Sequence, residues 1–297
     1  MRAHEIVNGR FVTQVICEGG NAFDDVGTIH RDEIEPTLKA FADMVAMPEL
    51  VNQTLGSVGK VEYSGDIDIA VNLDGDAMKE LSHDLRNKLG NQSVTGVAGN
   101  VTVRFPISNY DESKDGRQPR TGKVQIDLIP GDPKWFKTYY HSPGDASKLK
   151  GIHRNLGLAM LAKNMDLENS KEEDDFGRPV KQVRWTFGQK NGLVKVLRKS
   201  VKSESTGKWI KKQQTDLVTD PLKDPAKIAE IMFRGKAGPE ALNSIETIIE
   251  AVKKAYSKKE QAAIFADMAA AFEDTGLYDV KTGFVVPKEI KPYLKGK

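Results

Sequence analysis

Residues 55–71 read Leu55-Gly56-Ser57-Val58-Gly59-Lys60-Val61-Glu62-Tyr63-Ser64-Gly65-Asp66-Ile67-Asp68-Ile69-Ala70-Val71. The second half alternates as a strand does, and predicts one from Asp66 to Leu73 that closes at the turn Asp74-Gly75-Asp76. Residues two apart on a strand share a face. Asp66 and Asp68 therefore project together, their roots roughly 6.5–7 Å apart, while Ile67, Ile69 and Val71 point into a core. Two such carboxylates repel each other unless a cation lies between them. All-oxygen ligands suit Mg²⁺, and two ions so held can clamp the attacking and leaving oxygens of a phosphoryl displacement. In the first half, Gly56 permits close backbone approach, Ser57 adds a hydroxyl, and successive amides in such turns bind anions. Lys60 is placed to approach a triphosphate.

A third carboxylate, Asp127, stands mid-strand in Lys123-Val124-Gln125-Ile126-Asp127-Leu128-Ile129-Pro130. A charge among apolar neighbours is costly unless paired or metal-bound. Downstream lies Tyr139-Tyr140-His141-Ser142-Pro143-Gly144. Of the five histidines, only His141 is a site candidate, and none shows metal-ligand spacing. Ser147, Lys150 and Arg154 follow at helical spacing, as phosphate contacts or as a solvated face.

A Gly-Ser turn, a short spacer, Asp-x-Asp on a strand and a later strand Asp together resemble the DNA polymerase β superfamily of nucleotidyltransferases. The resemblance covers roughly residues 50–165. The segment 139–144 resembles that family's nucleotide-facing turn, and Gly19-Gly20-Asn21-Ala22-Phe23 resembles the opening of bacteriophage-encoded members. The resemblance implies an α+β palm, a mixed sheet with flanking helices. It implies a two-metal site on Asp66, Asp68 and Asp127, loaded with Mg²⁺ or Mn²⁺. It also implies an NTP, ATP among the candidates, bound near Gly56, Ser57, Lys60, His141, Ser142, Lys150 and Arg154. Eight residues separate Ser57 from Asp66, fewer than is usual in the family, which leaves the role of Lys60 open. No thumb, fingers or lyase region is recognisable, so a template-directed polymerase is not expected.

Outward from this stretch, the spacing predicts helices at 30–47, 77–89 and 145–163, and strands at 100–107 and 123–129. Asp166–Asp175, with six acids, predicts an exposed linker or loop. Residues 180–187 and 193–199 predict a hairpin around Asn191-Gly192, a type I′ signal. Helices are expected near 225–234, 239–256 and 258–274. The expected organisation is a nucleotidyltransferase core with a basic hairpin segment over 1–213, then a helical region over 214–297.

The basic segment is 177–213. It holds eleven Lys/Arg against the single acid Glu204, a net of +10, where the whole chain carries only +2. Trp185, Phe187 and Trp209 are interleaved, which suits a nucleic-acid strand. It equally suits a charged hairpin face with aromatics in the core. The expected acceptor is an RNA or DNA 3′ end. A protein or small-molecule acceptor and a catalytically silent binding module are the alternatives, since fold alone does not choose.

Some patterns are set aside. His30-Arg31-Asp32 lacks the companion Asn of a kinase loop, with Thr37 in its place, and reads as a helix start with acids Asp32 and Glu33 in the first turn. Asp74-Gly75-Asp76 lacks calcium-loop spacing. The single cysteine, Cys17, excludes an intrachain disulfide and a Cys-rich zinc site. With no apolar run long enough to span a bilayer, a cytoplasmic protein is expected, in the host if phage-encoded, with no membrane partner.

Overall fold

The structure is a computed structural model. It describes residues 22–97, 99–114, 120–143, 151–275 and 286–294, and the backbone of two short antiparallel strands, β1 (Ile6–Val7) and β2 (Arg10–Phe11). The chain divides into two compact units that part between Ala146 and Ser147, and β1 and β2 count with the second. No described helix is long and apolar enough to cross a membrane.

The first unit contains β3 (Ile29–His30), α1 (Arg31–Val45), β4 (Tyr63–Ser64), β5 (Asp66–Val71), α2 (Gly75–Leu89), β6 (Val94–Val97), β7 (Asn100–Pro106), β8 (Lys123–Pro130) and α3 (Pro133–Tyr139). Its main sheet has the order β5-β8-β7-β6. β5 and β8 are parallel; the other pairs are antiparallel. The helices begin where local chemistry directs. His30 accepts from the Asp32 amide while Glu33 reaches back to the His30 amide, a reciprocal cap that starts α1. Asp74 caps α2 by accepting from the amides of Asp76 and Ala77, so the Asp-Gly-Asp run is a helix start. One face of the sheet supplies Ile67, Ile69, Val71, Val101, Val103, Phe105, Ile126 and Leu128. These form one apolar cluster with Leu38 and Phe41 of α1 and Leu85 of α2. The opposite face carries Asp66, Asp68, Thr102, Gln125 and Asp127, with Ala70 and Ile129 buried beside them.

The second unit contains α4 (Gly151–Lys163), β9 (Glu168–Asn169), β10 (Lys181–Gly188), β11 (Gly192–Lys202), β12 (Trp209–Leu217), α5 (Pro225–Met232), α6 (Ile245–Ala255) and α7 (Lys258–Asp274). Its sheet runs β12-β11-β10-β9, antiparallel throughout.

Three expectations differ here, and a fourth differs in part. The division at 213 is not where the units part: the basic hairpin falls in the same compact unit as the C-terminal helices. The reason is α4, which buries Leu156, Leu158, Met160 and Leu161. A helix apolar on all sides needs cover on several, and β10, α6 and α7 provide it. The hairpin pairs Gly188 with Gly192, so its loop is Gln189-Lys190-Asn191 and not a two-residue type I′ turn. Only Gly192 takes the left-handed conformation there, at φ 64°. The acidic stretch is mostly exposed loop, as expected, but Glu168–Asn169 is an edge strand and Asp174 is buried against Arg178 and Ser200. The expected helix 239–256 is a short 3₁₀ turn, Pro239–Leu242, followed by α6, which Ser244 caps. Taken whole, the chain is α+β, as expected.

Candidate metal centre

β5 and β8 lie side by side with Asp68 in register with Asp127, and Asp66 with Gln125. In a parallel pair, residues in register share a face. All three aspartates therefore stand on the sheet face opposite the core. One carboxylate oxygen from each lies within 4.8 Å of the others. Asp68 is only 4% exposed; Asp66 and Asp127 are half-buried.

The Gly56 turn lies directly beside them. The Leu55 amide donates to the Asp68 carbonyl and the Ala70 amide to the Gln53 carbonyl, both at 2.9 Å. Residues 53–55 thus run along the outer edge of β5, with Thr54 bridging Ile69. The chain turns at Gly56, whose φ of 67° is one that L side chains rarely adopt. A Cβ there would stand 3.8 Å from Asp68 Oδ2. The Lys60 amide donates to the Ser57 carbonyl and closes the turn.

The turn after α3 joins the same place. Gly56 bridges His141, and Lys60 Nζ donates to the Ser142 carbonyl at 3.2 Å. Lys60 ties two loops together in this arrangement, and burial lowers its pKa. Gly56, Ser57, Lys60, His141, Ser142 and the three aspartates are thus brought together. Two other expected residues are not. Lys150, with Ser147, lies outside the described residues. Arg154 belongs to the second unit, where it is 1% exposed and donates through Nε to the Leu242 carbonyl and through Nη1 to Asn155 Oδ1. A buried guanidinium so engaged is part of that unit's interior, not of a phosphate contact.

Several residues of the site escaped the sequence reading. Gln125 shares the face of Asp127, and its amide donates to Asp127 Oδ2 at 2.9 Å while its carbonyl accepts from the Ala22 amide. Thr102 faces Asp127 across β7 and β8 and hydrogen-bonds to it. The period-2 rule applied to Lys123–Pro130 would have placed Gln125 beside Asp127. Tyr140 is buried, and among the described residues its hydroxyl meets no hydrogen-bond partner. Burial, then Tyr139 and Asp68, push its pKa up.

Electrostatics here favour a cation. Burial, with Asp66 and Asp127 nearby, holds the Asp68 carboxyl well above the usual carboxylate range. Burial also raises Asp127; Thr102 and Gln125 oppose that, and Asp66 adds to it. Among the described residues, Asp127 Oδ1 is buried without a hydrogen-bond partner. An orphaned carboxylate oxygen within reach of two other carboxylates is the donor set that a hard divalent ion takes.

Gly56 allows a matched test. Gly59 has a similar φ of 73°, but a Cβ there would meet nothing within 4 Å. Ala at either position costs about 1 kcal/mol of backbone strain, so both variants should melt a few degrees lower. Only Gly56→Ala puts a methyl in van der Waals contact with the Asp68 carboxylate, and it alone should measurably weaken Mg²⁺-induced thermal stabilisation. Equal weakening in Gly59→Ala would show that strain alone is responsible.

The basic segment divides by strand parity. Lys181, Trp185, Phe187, Lys195 and Lys199 share one face of the second sheet; Arg184 and Arg198 share the other. On the first face, Lys195 pairs with Glu168 at 3.6 Å and Lys199 with Asp216 at 2.7 Å. Phe187 is 5% exposed and belongs to the core. Trp185 Nε1 donates to Asp166, and Trp209 lies 4.6 Å from the Lys202 ammonium. Part of the net charge is thus balanced by acids outside the segment. No protein-family model matches the chain, and comparison with curated proteins finds no match.

Proposed function

We propose that this chain is a metal-dependent nucleotidyltransferase that transfers a nucleoside monophosphate from an NTP to an acceptor hydroxyl and releases pyrophosphate. The observation that carries the reading is the convergence of Asp66, Asp68 and Asp127 within 4.8 Å on one sheet face, with the Gly56 turn laid beside Asp68. Three acids that converge on one side of a largely buried strand pair repel each other, and a cation held among them relieves that repulsion. The finer fold, a nucleotidyltransferase palm, belongs to the same proposal.

Asp66, Asp68 and Asp127 would hold Mg²⁺ or Mn²⁺, which when bound neutralises phosphate charge and lowers the acceptor hydroxyl's pKa. The chain's own residues do the rest. Asp127, positioned by Gln125 and Thr102, is placed to take the acceptor proton. The backbone amides around Gly56 and Ser57 face the departing phosphates. Lys60 fixes the 56–60 turn against Ser142, so the cradle is set before substrate arrives. Positioning and charge neutralisation supply most of the rate in phosphoryl transfer. The acceptor proposed is a nucleic-acid 3′ end, engaged through residues 177–213.

The test is incubation with each α-labelled NTP, Mg²⁺ or Mn²⁺, and total RNA, DNA or protein, beside an Asp127→Asn control. Label on nucleic acid that disappears in the control is the expected result. Label on protein would replace the acceptor and keep the chemistry. No metal-dependent label anywhere would overturn the reading.

A further inference from the structure

Arg184 on β10 and Arg198 on β11 are unlike the other cations of the second sheet. Arg184 is in register with Val196, and Gln182 with Arg198. The two arginines are therefore diagonal neighbours on one face, about 7–8 Å apart. Both are half-buried, and the Nε of each is fully buried with no hydrogen-bond partner among the described residues. Among the described residues neither forms an ion pair, whereas Arg178, Lys195 and Lys199 each have an acid. Burial lowers the pKa of both, and Arg198 adds to the effect on Arg184, which falls to about 10.

Two desolvated like charges, with donors unsatisfied, are costly to hold together. An anion that satisfies both removes the repulsion and fills the empty donor sites. Each guanidinium is a planar fork matched to two oxygens of a carboxylate or phosphate. A carboxylate brings one negative charge to a pair carrying two, inside the most basic stretch of the chain. A phosphate group brings more charge and enough oxygens for both forks. Gln182 and Thr215 flank Arg198 across the ladder and add polar groups to the same face.

We propose that Arg184 and Arg198 form an oxyanion-binding pair that takes a phosphate group, from a nucleic-acid strand or from free phosphate or pyrophosphate. The site stands without the aspartate triad; that its phosphate belongs to the acceptor strand rests on the nucleotidyl-transfer reading.

The test uses the full chain and four proteins: wild type, R184Q/R198Q, K195Q/K199Q on the opposite face, and D68N. Melting temperatures are measured with phosphate, pyrophosphate and sodium chloride at equal ionic strength. Affinities are measured for single-stranded RNA and DNA of about 12 nucleotides, a length in the range of single-strand sites. Wild type and D68N should bind alike, which separates this site from failure of the catalytic reading. R184Q/R198Q should lose at least tenfold in affinity, and its slope of log K against log salt should flatten by about one to two units. K195Q/K199Q should lose less than threefold. Binding of oligonucleotide alone identifies a strand phosphate; a shift with phosphate or pyrophosphate alone identifies the free anion. If neither shifts the wild type beyond sodium chloride, or if R184Q/R198Q binds as the wild type does, the site does not exist.

Discussion

Asp68→Asn is expected to abolish nucleotidyl transfer and, without metal, to melt above the wild type at neutral pH. The catalytic loss follows from its place at the centre of the triad, in register with Asp127 and two residues from Asp66. A bound metal contributes several kcal/mol to the transition state, which corresponds to at least a loss on the order of 10³-fold in rate. The gain in stability has the same origin. Asp68 is buried, with two acids within 4.8 Å. Asn keeps the shape and removes one charge from a mutually repelling set. Mg²⁺ should reverse the order: it stabilises whatever binds it by RT ln(1 + [L]/Kd), about 2.7 kcal/mol at a hundredfold excess over Kd. The wild type should gain this and Asp68→Asn should not. Calorimetry with EDTA and with Mg²⁺, beside a turnover assay, decides the matter. Full turnover in the variant, or equal metal stabilisation of both proteins, would sink the metal site.

The pair Asp66 and Asp68 was legible because strand parity is a strong rule. The alternation in Asp66–Val71 placed Asp66 and Asp68 on one face before any pairing was known; Asp127 stood out as a charge mid-strand among apolar neighbours, and the family resemblance joined it to them. That β5 and β8 would be parallel neighbours was not legible, since β6 and β7 intervene in the chain. The local sequence of β5 is compatible with several partners, and only the shared core of Ile67, Ile69, Ile126 and Leu128 selects this one. Likewise, Gly56-Ser57 read as a turn, but its pairing against the outer edge of β5 is a tertiary event.

The second unit was less legible. The spacing of Ser147, Lys150 and Arg154 suggests a basic stripe, yet α4 is apolar over most of its circumference and offers Arg154 no solvated side. The buried arginine is satisfied by the Leu242 carbonyl, 88 residues away. In the basic segment, the division of the cations onto two faces became visible only with the register, and the acids that balance one face come from β9 and β12. β12 hid because Lys211, Lys212, Gln213 and Gln214 carry no apolar alternation; its place at the sheet edge excuses it from having one.

Glu33 carries the largest stability effect expected in the first unit. The sequence suggested only a first-turn acid favoured by the helix dipole. In the structure it is 1% exposed and accepts four hydrogen bonds: two from Arg120 Nη2, at 2.7 and 2.8 Å, one from the Asp111 amide and one from the His30 amide. Arg120, itself 6% exposed on its side chain, lies 4.8 Å from the Tyr110 ring and 5.9 Å from that of Tyr63. One carboxylate thus joins the start of α1 to the loop before β8 and to the strand that leads into Asp66. Glu33→Ala leaves a desolvated guanidinium and two orphaned amides, and should cost about 3–5 kcal/mol. Replacing both partners together, as in Glu33→Leu with Arg120→Met, should cost less than Glu33→Ala alone, since no charge is left stranded. The acid limb supplies an independent check. Burial pulls the Glu33 pKa up, but Arg120 and the amides of Asp111 and His30 outweigh it, and the net direction is down from 4.5. A carboxyl lowered by folding contributes stability that is present above its unfolded value and lost as pH falls through the folded one. The gap between wild type and Glu33→Ala should therefore hold constant from pH 8 to pH 6, both well above that unfolded value of about 4.3, and narrow below about pH 4 as Glu33 takes up a proton. Chemical denaturation across that range measures it; a gap that widened toward acid, or a cost under about 1 kcal/mol, would mean that Glu33 is not the centre of this contact.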